Sequence, residues 1–238
     1  MRICITNDDG IWGEGLSILV NWAKRLGEVV IYAPKVEQSA KSHAIEIHKS
    51  FEMKEVAHPT GVKAYAVDST PADCVRLAIL GNHEQFDLVF SGINKGLNIG
   101  RDIIYSGTVS AAFEAAALGV KAIALSTDFF TFETAEQYLD TVWDFITGHE
   151  LLSKGDVWNV NIPVQTTGEI RFTHQGGPYY SDDFAPEDND HYRPMGKCIW
   201  ANTDDETLDT NATLHHRHIS ITPLTFDRTD WTVLNKLL

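Results

Sequence analysis

The sequence predicts an α/β protein built on a mostly parallel sheet. Over the first 130 residues, short β-branched runs alternate with runs of helical hydrophobic period, which is the pattern of strands joined by crossover helices. The 43% of hydrophobic and 22% of charged residues are typical of a folded globular chain. No apolar run reaches the length of about 18 residues that a membrane span needs.

Each predicted element has its own local signal. Four β-branched runs bounded by turn residues predict core strands, over residues 2–6, 28–33, 87–91 and 121–126. Runs of helical period predict the helices between them, over residues 16–26, 72–80 and 108–118. Pro34 ends the second strand, Thr70-Pro71 supplies a hydroxyl cap and a proline where the second helix begins, and Gly119 ends the third helix.

The rest of the chain is less regular. Apolar and polar residues alternate in two runs that predict an edge addition or a hairpin, over residues 45–51 and 62–67. Further signals predict helices over residues 134–146 and 231–238, and strands over residues 157–162 and 219–222. Thr229-Asp230 opens the terminal helix. Periodicity is lost from about residue 166, so we expect a long excursion from the core there.

The net charge limits the kinds of partner, and the cysteine content limits the kinds of disulfide or metal site. A net charge of −14 disfavours binding to nucleic acid polymers or to anionic membranes. A small phosphorylated substrate stays compatible if a metal ion or backbone N–H groups supply positive charge locally. The three cysteines lack the spacing of a zinc site or a disulfide framework, and no export segment precedes the first strand. We therefore expect reduced thiols and a cytoplasmic location.

The segment 6–10, Thr-Asn-Asp-Asp-Gly, stands at the end of the first strand. Ligands of open α/β sheets bind beyond the carboxyl ends of the strands. Asp8 and Asp9 are therefore well placed to hold a hard cation such as Mg²⁺ or Mn²⁺. The alternative is a plain polar turn, because Asn, Asp and Gly are common turn residues.

Two nucleotide-binding motifs are excluded by their spacing. Gly13 and Gly15 follow a strand, but a dinucleotide fingerprint would need a third glycine where Ile18 stands. The chain also contains no GxxxxGK[ST] segment, which excludes a P-loop.

A second polar loop, residues 37–43, follows the second strand and so falls on the same rim of the sheet. Its Ser39 offers an oxygen that suits a hard metal or a phosphate. His43 has two interpretations, a group that assists proton transfer or an ordinary surface residue.

The third and richest stretch runs from the third strand into the next helix. Residues 91–100, SGINKGLNIG, combine glycines with the amides of Asn94 and Asn98. Ser106-Gly107-Thr108 then opens a helix whose first N–H groups lack intrahelical partners and can hold a phosphate. A glycine-rich loop before a capped helix is the alternative, but three such loops on one rim favour a common site.

Two other clusters receive structural interpretations. His216 and His218 are predicted to share one face of an exposed strand without a third metal ligand. The acidic residues Asp182-Asp183 and Glu187-Asp188 are predicted to form a solvated loop.

Together these segments resemble the SurE family of 5′-nucleotidases. The similarity covers nearly the whole chain and is carried by TNDDG at 6–10, EQS at 37–39, STPADCV at 69–75, SGINKGLNIG at 91–100, YSGTVSAA at 105–112, AIALS at 122–126, NVNIP at 159–163 and SITPL at 220–224. The resemblance implies one Mg²⁺ or Mn²⁺ on Asp8, Asp9, Ser39 and Asn94. It also implies a phosphate held by Asn98, Ser106, Gly107 and Thr108.

The resemblance further implies a Rossmann-like three-layer core in one domain over residues 1–238, with the core to about 165 and a C-terminal excursion, terminal helix and oligomerisation region over about 166–238. It implies hydrolysis of nucleoside 5′-monophosphates by a homodimer or tetramer with exchanged C-terminal segments. Attack by a metal-activated water and attack by Asp8 through an aspartyl-phosphate both stay open. The rival functions are a broader phosphatase acting on polyphosphate or sugar phosphates and a nucleotide sensor without turnover.

Overall fold

A nine-stranded sheet organises the chain in the computed structural model, which describes residues 1–181 and 183–238. The strands in chain order are β1 Arg2–Thr6, β2 Glu28–Pro34, β3 Met53–Glu55, β4 Lys63–Val67, β5 Leu88–Lys95, β6 Lys121–Thr127, β7 Val157–Ile162, β8 Ile170–Phe172, β9 Tyr180–Ser181, β10 Phe184–Pro186, β11 Tyr192–Pro194, β12 Lys197–Cys198 and β13 Ile219–Leu224. The helices are α1 Glu14–Ala23, α2 Pro71–Arg76, α3 Gly107–Ala117, α4 Glu133–Gly148, α5 Leu151–Lys154, α6 Asp209–Leu214 and α7 Trp231–Leu237.

The strand order across the large sheet is β3-β4-β2-β1-β5-β6-β7-β13-β8. The six strands from β4 to β7 in that order are parallel to their neighbours, whereas β3 and β13 pair antiparallel with β4 and β7. The predicted mostly parallel sheet is therefore confirmed. The strand order reverses between β1 and β5, and polar loops follow both strands there, as expected of a ligand site in this class of sheet.

Helices cover both faces of the sheet, which confirms the predicted three layers. Ile3 and Ile5 of β1 belong to one buried cluster with residues of α1 and α4, whereas Cys4 between them belongs to a second cluster with residues of α2 and α3. This alternation follows from the two-residue period of a strand. Because both faces of β1 are buried, its central residues are apolar and its polar residues lie at its two ends.

Capping follows the predictions at two helices. The Thr70 hydroxyl accepts a hydrogen bond from the Asp73 N–H at 3.1 Å and begins α2. The carboxylate of Asp230 accepts one from the Val233 N–H at 3.0 Å and begins α7. Such caps satisfy N–H groups that the first turn of a helix leaves unpaired.

The predicted strand over residues 45–51 is wrong, and the hairpin at this edge uses β3 instead. Ile45 and Ile47 are exposed. The Glu46 carboxylate accepts hydrogen bonds from the N–H groups of His48 and Lys49 at 2.7 and 3.0 Å. These local bonds use donors that a strand ladder would need.

The region after residue 165 has more structure than the predicted excursion, because β8 and β13 join the large sheet.

The predicted strand face for His216 and His218 is wrong: α6 ends at Leu214, Arg217 has a φ of +58°, and β13 begins at Ile219. Asp183, Glu187 and Asp188 are exposed as predicted, and Asp182 lies outside the described residues. Within the described ranges, no helix is both long and apolar enough to cross a membrane.

Candidate active site

The turn after β1 holds the two aspartates in place. The Asn7 side chain is buried, donates to the Gly10 carbonyl at 2.9 Å and accepts from the Gly10 N–H at 3.2 Å. Gly10 has a φ of +97°, a conformation that favours glycine. The segment is thus a polar turn, as one interpretation predicted, and this turn presents Asp8 and Asp9 at the rim of the sheet.

A cleft of about 380 Å³ opens at this rim, and the three predicted loops meet in it. Five of the eight predicted site residues line it: Asp8, Ser39, Asn94, Asn98 and Ser106. The other three adjoin Asp8. Asp9 follows it in the chain, Thr108 donates a hydrogen bond to it, and Gly107 packs on its side chain. The structure therefore brings the eight predicted residues into one neighbourhood.

Thr108 contacts Asp8 rather than the open cleft. Its side chain is fully buried, and its hydroxyl donates to Asp8 Oδ1 at 2.5 Å. Its backbone N–H also stabilises the ionised Asp8 carboxylate. The resemblance implied a phosphate contact for Thr108, whereas the structure directs its donors at Asp8. The Ser106 hydroxyl and the Gly107 N–H are the other predicted phosphate contacts at the start of this helix.

Gly107 allows α3 to begin directly against Asp8. A Cβ atom at this position would lie 2.9 Å from Asp8 Cβ and 3.0 Å from Asp8 Oδ2. Ser106 caps the helix by accepting from the Val109 N–H at 3.1 Å. No carbonyl of the described chain accepts from the Gly107 N–H, so the positive end of the helix faces the carboxylate site with a free donor.

We expect Gly107→Ala to lower kcat/KM for a phosphomonoester by about 100-fold or more, since displacing a reacting group by about 1 Å can cost that much. The added methyl group must push Asp8 or α3 aside. Gly148→Ala is the matched control, because a Cβ there meets nothing within 4 Å. Near-normal activity of Gly107→Ala beside an equally active control would show that the Asp8 position is unimportant.

We expect Thr108→Val to act through metal affinity, because the lost hydroxyl orients a predicted metal ligand. Removing a group that orients a ligand typically costs about 10- to 100-fold in affinity, so the Mn²⁺ concentration for half-maximal activity should rise by that factor. Thr108→Ser should restore the wild-type value. A rise in substrate KM at saturating Mn²⁺, with unchanged metal dependence, would instead assign Thr108 to the phosphate.

Ser39 and Asn94 each present an oxygen to the cleft. The Ser39 hydroxyl donates to Glu37 Oε1 at 2.7 Å, which leaves lone pairs of its oxygen available. The Asn94 amide donates to the Gly96 carbonyl at 2.7 Å, and no donor of the described chain bonds its Oδ1. Such neutral oxygens suit the coordination shell of a hard cation.

The charges at the site favour a cation. Burial, followed by repulsion from Asp8, raises the pKa of Asp9 to about 6. Burial also raises the pKa of Asp8, and the hydrogen bonds from Thr108 offset part of that effect. Glu37 adds a further negative charge, and Lys95 is the cationic side chain that lines the cleft. A divalent ion would relieve this repulsion.

The donor set fits Mg²⁺ or Mn²⁺ better than a softer metal. Among the described residues, no three His, Cys, Asp or Glu side chains form a group able to hold a metal on their own. A cation between Asp8 and Asp9 would need the neutral oxygens of Ser39 and Asn94. Ligand shells made of oxygen suit hard divalent ions.

Asn98 is held by side chains whose role the sequence did not reveal. Its N–H donates to Asn161 Oδ1 at 2.8 Å, and its carbonyl accepts from the amides of Asn159 and Asn161 at 2.8 and 2.9 Å. Its own amide donates to the Ser126 hydroxyl at 2.8 Å. Two buried amides at alternate positions of the otherwise apolar strand β7 were the available signal, since buried polar groups need partners.

Asp209 is a second residue missed from the sequence. It is fully buried, and both its oxygens lie 3.0 Å from the Gly100 N–H while Oδ1 also accepts from the Gly176 N–H at 2.8 Å. Burial raises its pKa, and these backbone bonds oppose the shift. Asp209 thus joins the C-terminal region to the glycine-rich loop that carries Asn98.

His43 does not line the cleft with Asp8. Its Nε2 lies 2.8 Å from Glu114 Oε2, and the guanidinium of Arg76 donates to Glu114 Oε1 at 2.9 Å. Burial raises the pKa of Glu114, but the bonds from His43 and Arg76 outweigh it and hold the pKa below its usual range. This contact gives His43 a structural role in linking the loop to α3.

Comparison with known proteins identifies the family of the chain. The sequence model of the family described as Survival protein SurE matches residues 3–182. The chain belongs to the SurE family. The resemblance seen in the motifs is thereby confirmed, and the match includes the segments that carry all eight predicted site residues.

Individual SurE relatives are similar over their whole lengths. The 5′-nucleotidase SurE of Thermoanaerobacter sp. (strain X514) is 39% identical over 250 residues, which cover 100% of this chain and 97% of that protein. The 5′-nucleotidase SurE of Natranaerobius thermophilus is 36% identical over 257 residues, with the same shares covered. The crystal structure of the SurE protein from Aquifex aeolicus matches with a TM-score of 0.81 at 30% identity and covers 100% of this chain and 98% of that one.

Proposed function

We propose that the chain is a metal-dependent phosphomonoesterase that hydrolyses nucleoside 5′-monophosphates to nucleoside and phosphate. The observation that carries the proposal is the contact between Asp8 and the N-terminus of α3 through Gly107. This contact supports a cation site beside an anion site, which is the pair of features that a phosphate ester needs. The name 5′-nucleotidase SurE, borne by relatives that match the full length, supports the same activity.

The proposed metal ligands are Asp8, Asp9, Ser39 and Asn94. A bound Mg²⁺ or Mn²⁺ supplies a Lewis acid for a phosphoryl oxygen and lowers the pKa of a coordinated water. The raised pKa of Asp9 and the free Asn94 Oδ1 support this assignment.

The chain's own groups bind and orient the phosphate. The Ser106 hydroxyl and the Gly107 N–H lie at the positive end of α3, where they stabilise negative charge on phosphoryl oxygens. The Asn98 side chain lines the same cleft and is fixed by Ser126, so it contacts the ester without a loss of rotamer freedom on binding. Thr108 holds Asp8 in the position that faces this phosphate.

Two routes of phosphoryl transfer are compatible with this arrangement, attack by water and attack by an Asp8 oxygen. Asp8 Oδ1 accepts from Thr108, while Oδ2 lies on the side of Gly107. Rapid quenching of a reaction with ³²P-labelled nucleotide separates the routes, because an aspartyl-phosphate retains label on the protein and direct water attack leaves none.

A substrate panel tests the proposed function. Phosphate release should be fastest from nucleoside 5′-monophosphates and slower from sugar phosphates and polyphosphate, in the presence of Mn²⁺. Equal rates on all three classes would favour a broader phosphatase. Binding of nucleotide without release of phosphate from any compound would favour a sensor and contradict the proposal.

The assembly and location of the protein also stay predictions. We propose a homodimer or tetramer with exchanged C-terminal segments, supported by the exposed apolar side chains Trp231, Val233 and Leu237 of α7. Exposed apolar surface of this kind is typical of contacts between chains. The proposed substrate is a small molecule in the cytoplasm, in keeping with the net charge of −14.

A further inference from the structure

The lining of the cleft includes apolar and aromatic side chains as well as polar ones. Besides the predicted site residues, Leu97, Tyr105 and Phe129 line it. The Phe129 side chain is 61% exposed although it is large and apolar. An exposed aromatic ring beside a cleft is typical of a surface that contacts a ligand.

The Phe129 ring packs against the backbone of Gly96. A Cβ atom on Gly96 would have three atoms of the Phe129 ring as its nearest neighbours, at 2.8, 3.1 and 3.2 Å. The Gly96 carbonyl in turn accepts from the amide of Asn94, a proposed metal ligand. The Phe129 ring therefore packs on the same loop that carries Asn94, a proposed metal ligand.

Tyr105, the other aromatic residue that lines the cleft, lies at the start of α3 and not after β6. It precedes Ser106 directly, and its carbonyl accepts from the Ser42 N–H at 3.0 Å. The position of Tyr105 next to the helix N-terminus puts it beside the phosphate. Phe129 follows β6, on a separate segment, and its ring lines the same cleft.

We infer that Phe129 is the residue on which the nucleobase of the substrate stacks, an inference that rests on the proposed function. Stacking on an aromatic ring is tolerant of base identity because every base has a π-face. Phe129 has no polar atom, so the contact depends on ring area. The chain should therefore accept all four common bases and prefer purine over pyrimidine monophosphates.

The test compares a substrate that has a base with one that lacks it. Removing a stacking ring costs about 1 to 3 kcal/mol per base, which is roughly a 5- to 150-fold effect. Phe129→Ala should lower the ratio of kcat/KM for adenosine 5′-monophosphate to kcat/KM for ribose 5-phosphate by that factor. The change should lie in KM, because the base contact is the same in the ground state and the transition state.

Phe130→Ala is the matched control, because Phe130 is 86% exposed and does not line the cleft. It should leave the ratio unchanged, and Phe129→Tyr should retain it. Inhibition supplies a second readout: Phe129→Ala should raise the inhibition constant of adenosine and leave that of inorganic phosphate unchanged. An unaltered ratio in an active Phe129→Ala protein would overturn the inference while leaving the proposed function intact.

A wild-type protein that releases no phosphate from either compound would overturn the proposed function instead. The stacking inference would then be decided by calorimetric titration of adenosine into the wild-type protein and Phe129→Ala. Weaker binding by Phe129→Ala than by Phe130→Ala would support it, and equal binding by the three proteins would contradict it.

Discussion

Asp9→Asn is expected to lower kcat for nucleoside monophosphates by about 1000-fold or more, because a metal ion contributes several kcal/mol to stabilising the charge of the transition state. The substitution keeps the size of the side chain and its ability to form a turn. It removes one of the two negative charges that face the proposed cation. If Asp9→Asn retains wild-type turnover, Asp9 is not a ligand and the segment 6–10 is a structural turn.

The same variant should alter the pH dependence of stability in the metal-free protein. Burial and Asp8 raise the pKa of Asp9 to about 6 from an ordinary value of 3.8, so the folded chain holds this proton more tightly than the unfolded chain. The contribution of Asp9 to the free energy of unfolding should therefore be highest below about pH 4, fall as the pH rises to about 6, and level off above that. Between pH 4 and 6, melting curves should show that the wild type loses on the order of 1 kcal/mol of stability relative to Asp9→Asn.

Removal of the metal is expected to abolish turnover. Excess chelator should lower the rate on nucleoside monophosphates by about 100-fold or more, and Mn²⁺ or Mg²⁺ should restore it. The reason lies in the lining of the cleft, where Lys95 is the cationic side chain and Asp8, Glu37 and Asp102 are anionic. An exposed lysine alone does not offset the charge of a phosphate ester beside these carboxylates.

Stability should change with the metal as well. A ligand that binds only the folded chain stabilises it by about 2.7 kcal/mol at 100 times its Kd, which for a chain of this size is a rise in Tm of about 5 to 10 °C. Full activity after dialysis against excess chelator, with a Tm that Mn²⁺ does not move, would contradict the metal assignment.

Local sequence signals predicted the elements that build the site. β1 was predictable because both its faces are buried, so its residues form a continuous apolar run that ends in polar residues. The caps at Thr70 and Ser106 were predictable because a hydroxyl just before a helix commonly accepts a hydrogen bond from an N–H group of the first turn. The three loops were expected on one rim because each follows the carboxyl end of a parallel strand, which is where ligands of such sheets bind.

Features that depend on contacts distant in sequence were not predictable in the same way. Asp209 bonds Gly100 across 109 residues, and its neighbours in the chain look like an irregular polar stretch. Thr108 carries a hydroxyl that suits a phosphate or a carboxylate equally, and the close approach of α3 to Asp8 at Gly107 directs this hydroxyl to Asp8 in the structure. The strand predicted over 45–51 failed because Glu46 bonds the backbone of its own loop.

Direct measurement of Mn²⁺ binding tests the central claim, that Asp8 and Asp9 hold a catalytic cation at the N-terminus of α3. Electron paramagnetic resonance counts free Mn²⁺ in the presence of metal-free wild-type protein or Asp9→Asn. We expect one bound ion per wild-type chain and an affinity at least about 100-fold lower for Asp9→Asn. Equal Mn²⁺ binding by the two proteins, with the same stoichiometry and affinity, would contradict it.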